Sequence, residues 1–121
     1  MRKIYYHKLI RDGITAKMQK LGIAFEVRKL NKKSYEKALL AKLEEEAGGI
    51  INAKTKEILV DELADILAVI EEIKQLKKIS STELHSIQNV NMETKGGFAK
   101  RLWLVWSEDT EYKTNEKRGK K

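Results

Sequence analysis

Two long stretches with a helical period fill the middle of the chain and constrain its fold more than any other feature. Apolar residues recur every three or four positions from about Tyr35 to Ala53 and again from Lys56 to Lys78, which is the spacing of an amphipathic helix. Proline, which would interrupt either stretch, is absent from the chain. Because only a short link joins the two helices, we predict an antiparallel hairpin. The predicted fold class is therefore all-α, a helical bundle built on this hairpin.

Shorter helices are predicted on both sides of the hairpin. One runs from Ile14 to Leu21 and ends at Gly22, a residue that suits the left-handed backbone after a helix. The first long helix has two candidate N-caps, Asn31 and Ser34. A third long helix runs to about Met92 and begins at one of three candidate caps, which are Ser80, Ser81 and Thr82.

Two further segments predict a small β accessory to the helices. Residues 24–30 alternate apolar and polar side chains, which is the pattern of a strand. Residues 98–106 follow a Gly-Gly break and are rich in large apolar side chains, so we predict that they are extended and pair with the first segment. Residues 1–106 are predicted to form one domain, followed by a flexible charged tail at 107–121.

Composition excludes several kinds of functional site. The 121 residues contain no Cys and two His, which removes disulfides, thiolate metal sites and Cys nucleophiles and disfavours a multi-histidine site. No apolar run approaches the roughly 20 residues of a membrane span, and the first residues lack the apolar stretch of a secretory signal. We therefore predict a cytoplasmic protein.

The net charge of +7 is unevenly distributed along the chain. Residues 1–37 carry 11 basic and 3 acidic side chains, a balance of +8, whereas residues 38–78 carry 6 and 9, a balance of −3. Nucleic-acid binding is one explanation. A small polyphosphate substrate, held between cations and a carboxylate-bound metal, is another. Solvated lysines on helix surfaces are a third explanation, since net charge is weak evidence about function.

Acidic residues interrupt the apolar faces of both long helices. Glu46 stands at the edge of the stripe formed by Leu39 and Leu43, and Glu62 lies on the core face of the second helix with Asp65 beside it. Burying an unpaired carboxylate costs several kcal/mol, so such groups are usually paired or bound to metal. Carboxylate oxygens from two helices suit a hard cation, Mg²⁺ or alternatively Mn²⁺. The competing interpretation is that these acids lie at the edges of the apolar faces, where their carboxylates point to water or pair with lysine.

At these acids the sequence resembles the MazG-like all-α nucleoside triphosphate pyrophosphohydrolases, which include phosphoribosyl-ATP pyrophosphohydrolase-like proteins. That superfamily carries Glu-Glu-x-x-Glu on one helix and Glu-x-x-Asp on the next. The second motif is intact here from Glu62 to Asp65, whereas the first begins at Glu45 and breaks at Gly49. Further likeness to the predicted house-cleaning pyrophosphatases lies in residues 6–12 and 95–101.

The resemblance implies a fold, an activity and a set of site residues. The fold is a helical bundle assembled as a dimer or higher oligomer, and the activity is Mg²⁺-dependent hydrolysis of a nucleoside triphosphate to the monophosphate and pyrophosphate, with non-standard nucleotides as candidate substrates. Carried over by position, the metal ligands are Glu46, Glu62 and Asp65, and Glu45 has a supporting catalytic role. Gly49 removes one expected ligand, which puts activity in doubt.

Cations near both ends of the domain are candidates for binding phosphate. Lys8 and Arg11 lie three residues apart, while Lys95, Lys100 and Arg101 flank the Gly-Gly turn. Arg grips phosphate through two donors, and Lys acts as a point charge. Two other functions stay open from the sequence. They are a degenerate nucleotide-binding or regulatory protein of the same fold and a basic nucleic-acid-binding helical module.

Overall fold

A computed structural model of the chain describes residues 2–109. In chain order the helices are α1 (Ile14–Lys20), α2 (Lys32–Ile50), α3 (Lys56–Lys77) and α4 (Ser81–Lys95). The all-α prediction is confirmed. The predicted antiparallel hairpin is also present, since α2 and α3, the two longest helices in the described residues, pack against each other. Of the predicted tail, residues 110–121 lie outside the described part of the chain.

Side-chain caps set where the two hairpin helices begin. The Asn31 carboxamide oxygen accepts a hydrogen bond from the Ser34 backbone N–H at 2.8 Å, and the Thr55 hydroxyl accepts one from Ile58 at 3.1 Å. Each bond satisfies a backbone donor that the first turn leaves unpaired. Of the two candidate caps, Asn31 is therefore the cap, and α2 begins and ends about three residues earlier than the periodicity predicts.

The remaining helix ends lie at or near a glycine, a left-handed residue or a serine cap. Gly22, with φ of 70°, follows α1, and Lys78 ends α3 in the left-handed region with φ of 56°. Ser80 caps α4, because its hydroxyl accepts the Glu83 backbone N–H at 3.0 Å. Helix α4 continues to Lys95, three residues beyond the predicted end, and stops where Gly96 takes a φ of 75°.

The predicted two-stranded β accessory is absent, because none of residues 2–109 forms a strand. Both segments have irregular backbone instead. A strand needs a partner for its backbone hydrogen bonds, and neither segment has ladder bonds to another. The alternation in 24–30 does not bury one face, since Phe25 and Val27 are exposed along with the polar residues between them.

The described residues divide into two compact units, one ending at Leu84 and the second beginning at His85. The first unit contains α1, the α2–α3 hairpin and the start of α4. Its hydrophobic core is small, and in the described part of the chain Leu39, at 2 % exposure, is the single fully buried apolar residue. None of the helices in residues 2–109 is long and apolar enough to cross a membrane.

Candidate metal centre

Three carboxylates meet near the connected end of the hairpin. Glu46 projects from α2, and Glu62 and Asp65 project from α3, where their spacing of three residues puts them on one face. One oxygen from each carboxylate lies within 4.8 Å of the others, and all three residues are half-buried. We call Glu46, Glu62 and Asp65 the acid cluster. The three acids selected as metal ligands from the sequence are thus brought together.

Gly49 lies directly against the acid cluster, one turn after Glu46 on α2. A Cβ atom added at Gly49 would stand 3.0 Å from the Glu62 carboxylate oxygen Oε2 and 3.4 Å from its Cδ. Such a contact is tighter than ordinary van der Waals packing, so glycine leaves room for the Glu62 carboxylate on the surface of α2. The position at which the resemblance expects a further glutamate therefore faces the cluster.

Two cations of the N-terminal segment reach the acids of the hairpin. The Lys8 ammonium donates to Glu45 on α2 at 2.9 Å, and the Arg11 guanidinium donates to Asp65 on α3, also at 2.9 Å. Both had been selected from sequence as phosphate-binding residues, and both lie within the first unit. Glu45 stands outside the acid cluster and contacts lysines, and its supporting role stays a prediction.

Lys42 is a residue of this site that the sequence analysis missed. Its ammonium lies 3.4 Å from a carboxylate oxygen of Glu45 and 3.4 Å from one of Glu46. The side chain is 21 % exposed, so it is more enclosed than either N-terminal cation. The signal was present in the spacing, because residues three and four positions apart on a helix are neighbours.

The surroundings of Glu62 and Glu45 shift the pKa values of these two acids in opposite directions. Partial burial is the largest cause that raises the pKa of Glu62, followed by the negative charges of Glu46, Asp65 and Asp61. The hydrogen bond from Lys8 is the largest cause that lowers the pKa of Glu45. Glu62 has no cation within ion-pair distance among residues 2–109, so the negative charge of the cluster is least compensated at its centre.

The donor set of the acid cluster fits a hard divalent cation. Oxygens bound to Mg²⁺ at about 2.1 Å lie at most about 4.2 Å apart across the ion, so carboxylates within 4.8 Å of each other need only a small inward rotation. Mn²⁺ accepts the same donors. Mg²⁺ commonly keeps several water ligands, so a site of three carboxylates would not require a fourth from position 49.

A shallow cavity of about 100 Å³ lies beside the cluster, between the N-terminal segment and α2. Its charged and polar lining comes from His7, Lys8, Lys42 and Glu45. His7 adopts the left-handed backbone region with φ of 48°, and its ring stacks on Tyr5 with centroids 5.8 Å apart. The bend at His7 precedes Lys8, whose ammonium reaches Glu45.

The remaining predicted phosphate-binding residues belong to the second unit. Lys95 ends α4, and Lys100 and Arg101 follow the Gly-Gly turn, all with exposed side chains. Their roles stay predictions. Comparison with known protein families, with curated proteins and with solved structures finds no match to this chain. The resemblance to the MazG-like superfamily is thus carried by the motifs alone.

Proposed function

We propose that the protein is a Mg²⁺-dependent pyrophosphohydrolase that converts a nucleoside triphosphate to its monophosphate and pyrophosphate. The observation that carries the proposal is the acid cluster, in which carboxylates from two helices converge and no cation of residues 2–109 pairs with Glu62. Like charges held together cost free energy unless something compensates them. A divalent ion bearing phosphate oxygens would supply that compensation.

The reaction breaks the bond between the bridging oxygen and one phosphorus of the α–β linkage. Water supplies its oxygen to that phosphorus, the bridging oxygen leaves with the other product, and the water protons pass to solvent. Bound Mg²⁺ supplies charge neutralisation, orientation of the phosphates and a lower pKa for a bound water. The acid cluster would hold the ion, with Glu46 fixed from α2 and the other two carboxylates from α3.

The cations beside the acid cluster support a phosphate-bearing substrate. Arg11 and Lys8 reach the hairpin from the N-terminal segment, and Lys42 lies between Glu45 and Glu46. In this proposal Arg11 and Lys42 bind phosphate oxygens that the metal leaves free, whereas Lys8 stays on Glu45 and holds the N-terminal segment beside them. Glu45 is held ionised by Lys8 and is a weak base, so we assign it the positioning of these lysines rather than proton abstraction.

A degenerate nucleotide-binding protein is the second candidate, and Gly49 is the observation that favours it. The position faces Glu62 and offers no oxygen, so the cluster has three carboxylates where the resembled motif would give four. Such a protein would bind a nucleotide with Mg²⁺ and release no product. The site does not favour the basic nucleic-acid-binding module, because its centre is a cluster of acids, which repels an extended phosphate backbone.

A panel of standard and non-standard nucleoside triphosphates with Mg²⁺ tests these alternatives. The proposal expects pyrophosphate and the monophosphate from at least one triphosphate, identified by ³¹P NMR, and no release with EDTA. Release of orthophosphate would show that a different bond is broken. If nothing is released but nucleotide with Mg²⁺ raises the melting temperature, the degenerate protein is the better description. Binding to duplex or single-stranded DNA that weakens steeply with salt would favour the nucleic-acid module.

We also propose that the chain functions as a homodimer. Val60, Leu63 and Leu67 recur at helical spacing on α3 and are each at least 45 % exposed, which is a costly arrangement for a stable monomer. Packing of this stripe against a second copy would bury it. Light scattering should give about twice the 14.0 kDa chain mass, and Leu67→Glu should shift the mass toward one chain.

A further inference from the structure

The N-terminal segment is attached to both helices of the hairpin by two ion pairs. Lys8 contacts Glu45 on α2 and Arg11 contacts Asp65 on α3, at 2.9 Å in each case. Residues 2–11 contain no helix or strand of their own. Since these contacts join residues 37 and 54 positions apart, they fold the segment over the hairpin beside the acid cluster.

The two ion pairs differ in their relation to the cluster. Glu45 lies outside it, so the Lys8 contact does not involve a candidate metal ligand. Asp65 lies inside it, so the Arg11 guanidinium occupies a carboxylate that a divalent cation would also use. The Arg11 guanidinium and a divalent ion would repel each other at the Asp65 carboxylate. Because the ion would be held by three carboxylates and Arg11 by one exposed ion pair, the ion should displace Arg11.

Arg11 can leave Asp65 at little structural cost. Its side chain is 63 % exposed, so its departure opens no cavity in the small core. The Lys8–Glu45 contact would meanwhile hold the segment in place, and three residues span at most about 10 Å of chain. The released guanidinium therefore stays near the cluster, where a phosphate group bound to the metal would be found.

We propose that Asp65 exchanges partners, so that binding of a divalent cation releases Arg11 from Asp65 and frees its guanidinium for the phosphate of the substrate. This inference rests on the proposed function. In the metal-free protein Arg11 serves as a counterion that blocks the site, and Lys8 is the tether that retains the segment. Metal binding and phosphate binding are thereby coupled through one side chain.

The exchange predicts that Arg11→Gln changes the affinities for Mg²⁺ and for pyrophosphate in opposite directions. Calorimetric titration with Mg²⁺ alone should show binding about two- to fivefold tighter than in the parent protein, since a competing exposed ion pair is lost. Titration with inorganic pyrophosphate in saturating Mg²⁺ should show binding about two- to fivefold weaker. Arg28→Gln removes the same charge from an exposed arginine that pairs with Glu26 and with no member of the acid cluster, and should leave both affinities within about 1.5-fold.

A second measurement observes the exchange directly. The Arg11 Nε–Hε signal, assigned by its absence in Arg11→Gln, should move in ¹⁵N–¹H spectra of the parent protein on titration with Mg²⁺. If the parent binds Mg²⁺ while Arg11→Gln binds it no more tightly and the signal stays in place, the exchange is wrong and the metal site stands. If pyrophosphate binding is equal in the two proteins, phosphate capture by Arg11 is wrong. If neither protein binds Mg²⁺, the proposed function falls together with the exchange.

Discussion

The two ends of the α2–α3 hairpin arrange their charges in opposite ways. At the open end, Glu36 on α2 forms an ion pair with Lys77 on α3, and the Tyr35 hydroxyl donates to Glu72 at 3.4 Å. Glu36 and Glu72 therefore each have a donor across the helix interface. At the connected end, Glu46 meets Glu62 and Asp65 across the same interface, and the nearest partners across the helices are of like charge.

The charges at the open end stabilise the hairpin, whereas those at the connected end destabilise it and are candidates for a functional role. The pair at the open end contributes modestly to folding, as exposed pairs do. The acid cluster works against folding of the metal-free protein, because partial burial and like charges raise the pKa of Glu62. Perturbed carboxylates in a partly enclosed position are a mark of functional sites. The comparison therefore supports the proposal that a cation binds at the connected end.

The largest effect should come from Glu62→Gln, which removes the central charge of the acid cluster. We expect Mg²⁺ affinity to fall by roughly tenfold or more and pyrophosphate release to be lost, while the metal-free protein becomes more stable because repulsion is relieved. Calorimetry and urea unfolding without metal measure the two effects. Glu44→Gln makes the same chemical change at an exposed residue of α2 and should alter neither. Unchanged Mg²⁺ affinity in Glu62→Gln would contradict the site.

The pH dependence of metal binding sharpens the same comparison. The pKa of Glu62 is raised above its ordinary value of 4.5, so the folded protein holds this proton more strongly than the unfolded chain. Protonation of Glu62 therefore contributes to the free energy of unfolding of the metal-free protein. This contribution is fully present below pH 4.5 and is lost as pH rises through the raised pKa. Mg²⁺ must displace the proton, so its affinity should rise with pH by up to about tenfold per unit and then level off.

Mg²⁺ titrations at a series of pH values above 4.5 measure this dependence. The Glu62→Gln variant is the control. Any weak Mg²⁺ binding that this variant retains should lack the rise in affinity with pH that is assigned to Glu62. An affinity that falls as pH rises would show that deprotonation of the cluster does not accompany binding.

Substitutions at Gly49 test whether the cluster lacks a ligand. Both Gly49→Ala and Gly49→Glu place a Cβ at 3.0 Å from the Glu62 oxygen Oε2, so that carboxylate has to shift by a few tenths of an ångström. Only the glutamate adds an oxygen donor. We expect Gly49→Ala to weaken Mg²⁺ binding and Gly49→Glu to bind Mg²⁺ at least about threefold more tightly than Gly49→Ala. Equal affinities in the two variants would show that position 49 cannot deliver a carboxylate to the ion.

The smallest effect is expected at the open end of the hairpin. Glu36→Gln removes the charge that pairs with Lys77 and should lower the free energy of unfolding by about 0.2–1 kcal/mol. Mg²⁺ affinity should not change, because this end has no part in the acid cluster. Urea unfolding gives the first quantity and calorimetry the second. A large change in Mg²⁺ affinity would remove the distinction between the two ends.

Local sequence signals predicted the helices and the members of the cluster. Periodicity identified α2 and α3. The candidate caps included two of the three that form, Asn31 and Ser80, whereas Thr55 was not among them. Spacing along one helix also placed Glu62 and Asp65 together. Each of these signals depends on residues within one or two turns, which is why they can be read without the fold.

Contacts between distant residues were decided only by the tertiary structure. The approach of Glu46 and Gly49 to Glu62, and of Arg11 to Asp65, depends on how α2 and α3 are rotated and offset and on where the N-terminal segment lies. The alternation in residues 24–30 likewise predicted a strand that does not form, because a strand requires a partner. Helical period specifies which face of a helix is apolar, whereas packing determines which residues of two such faces meet.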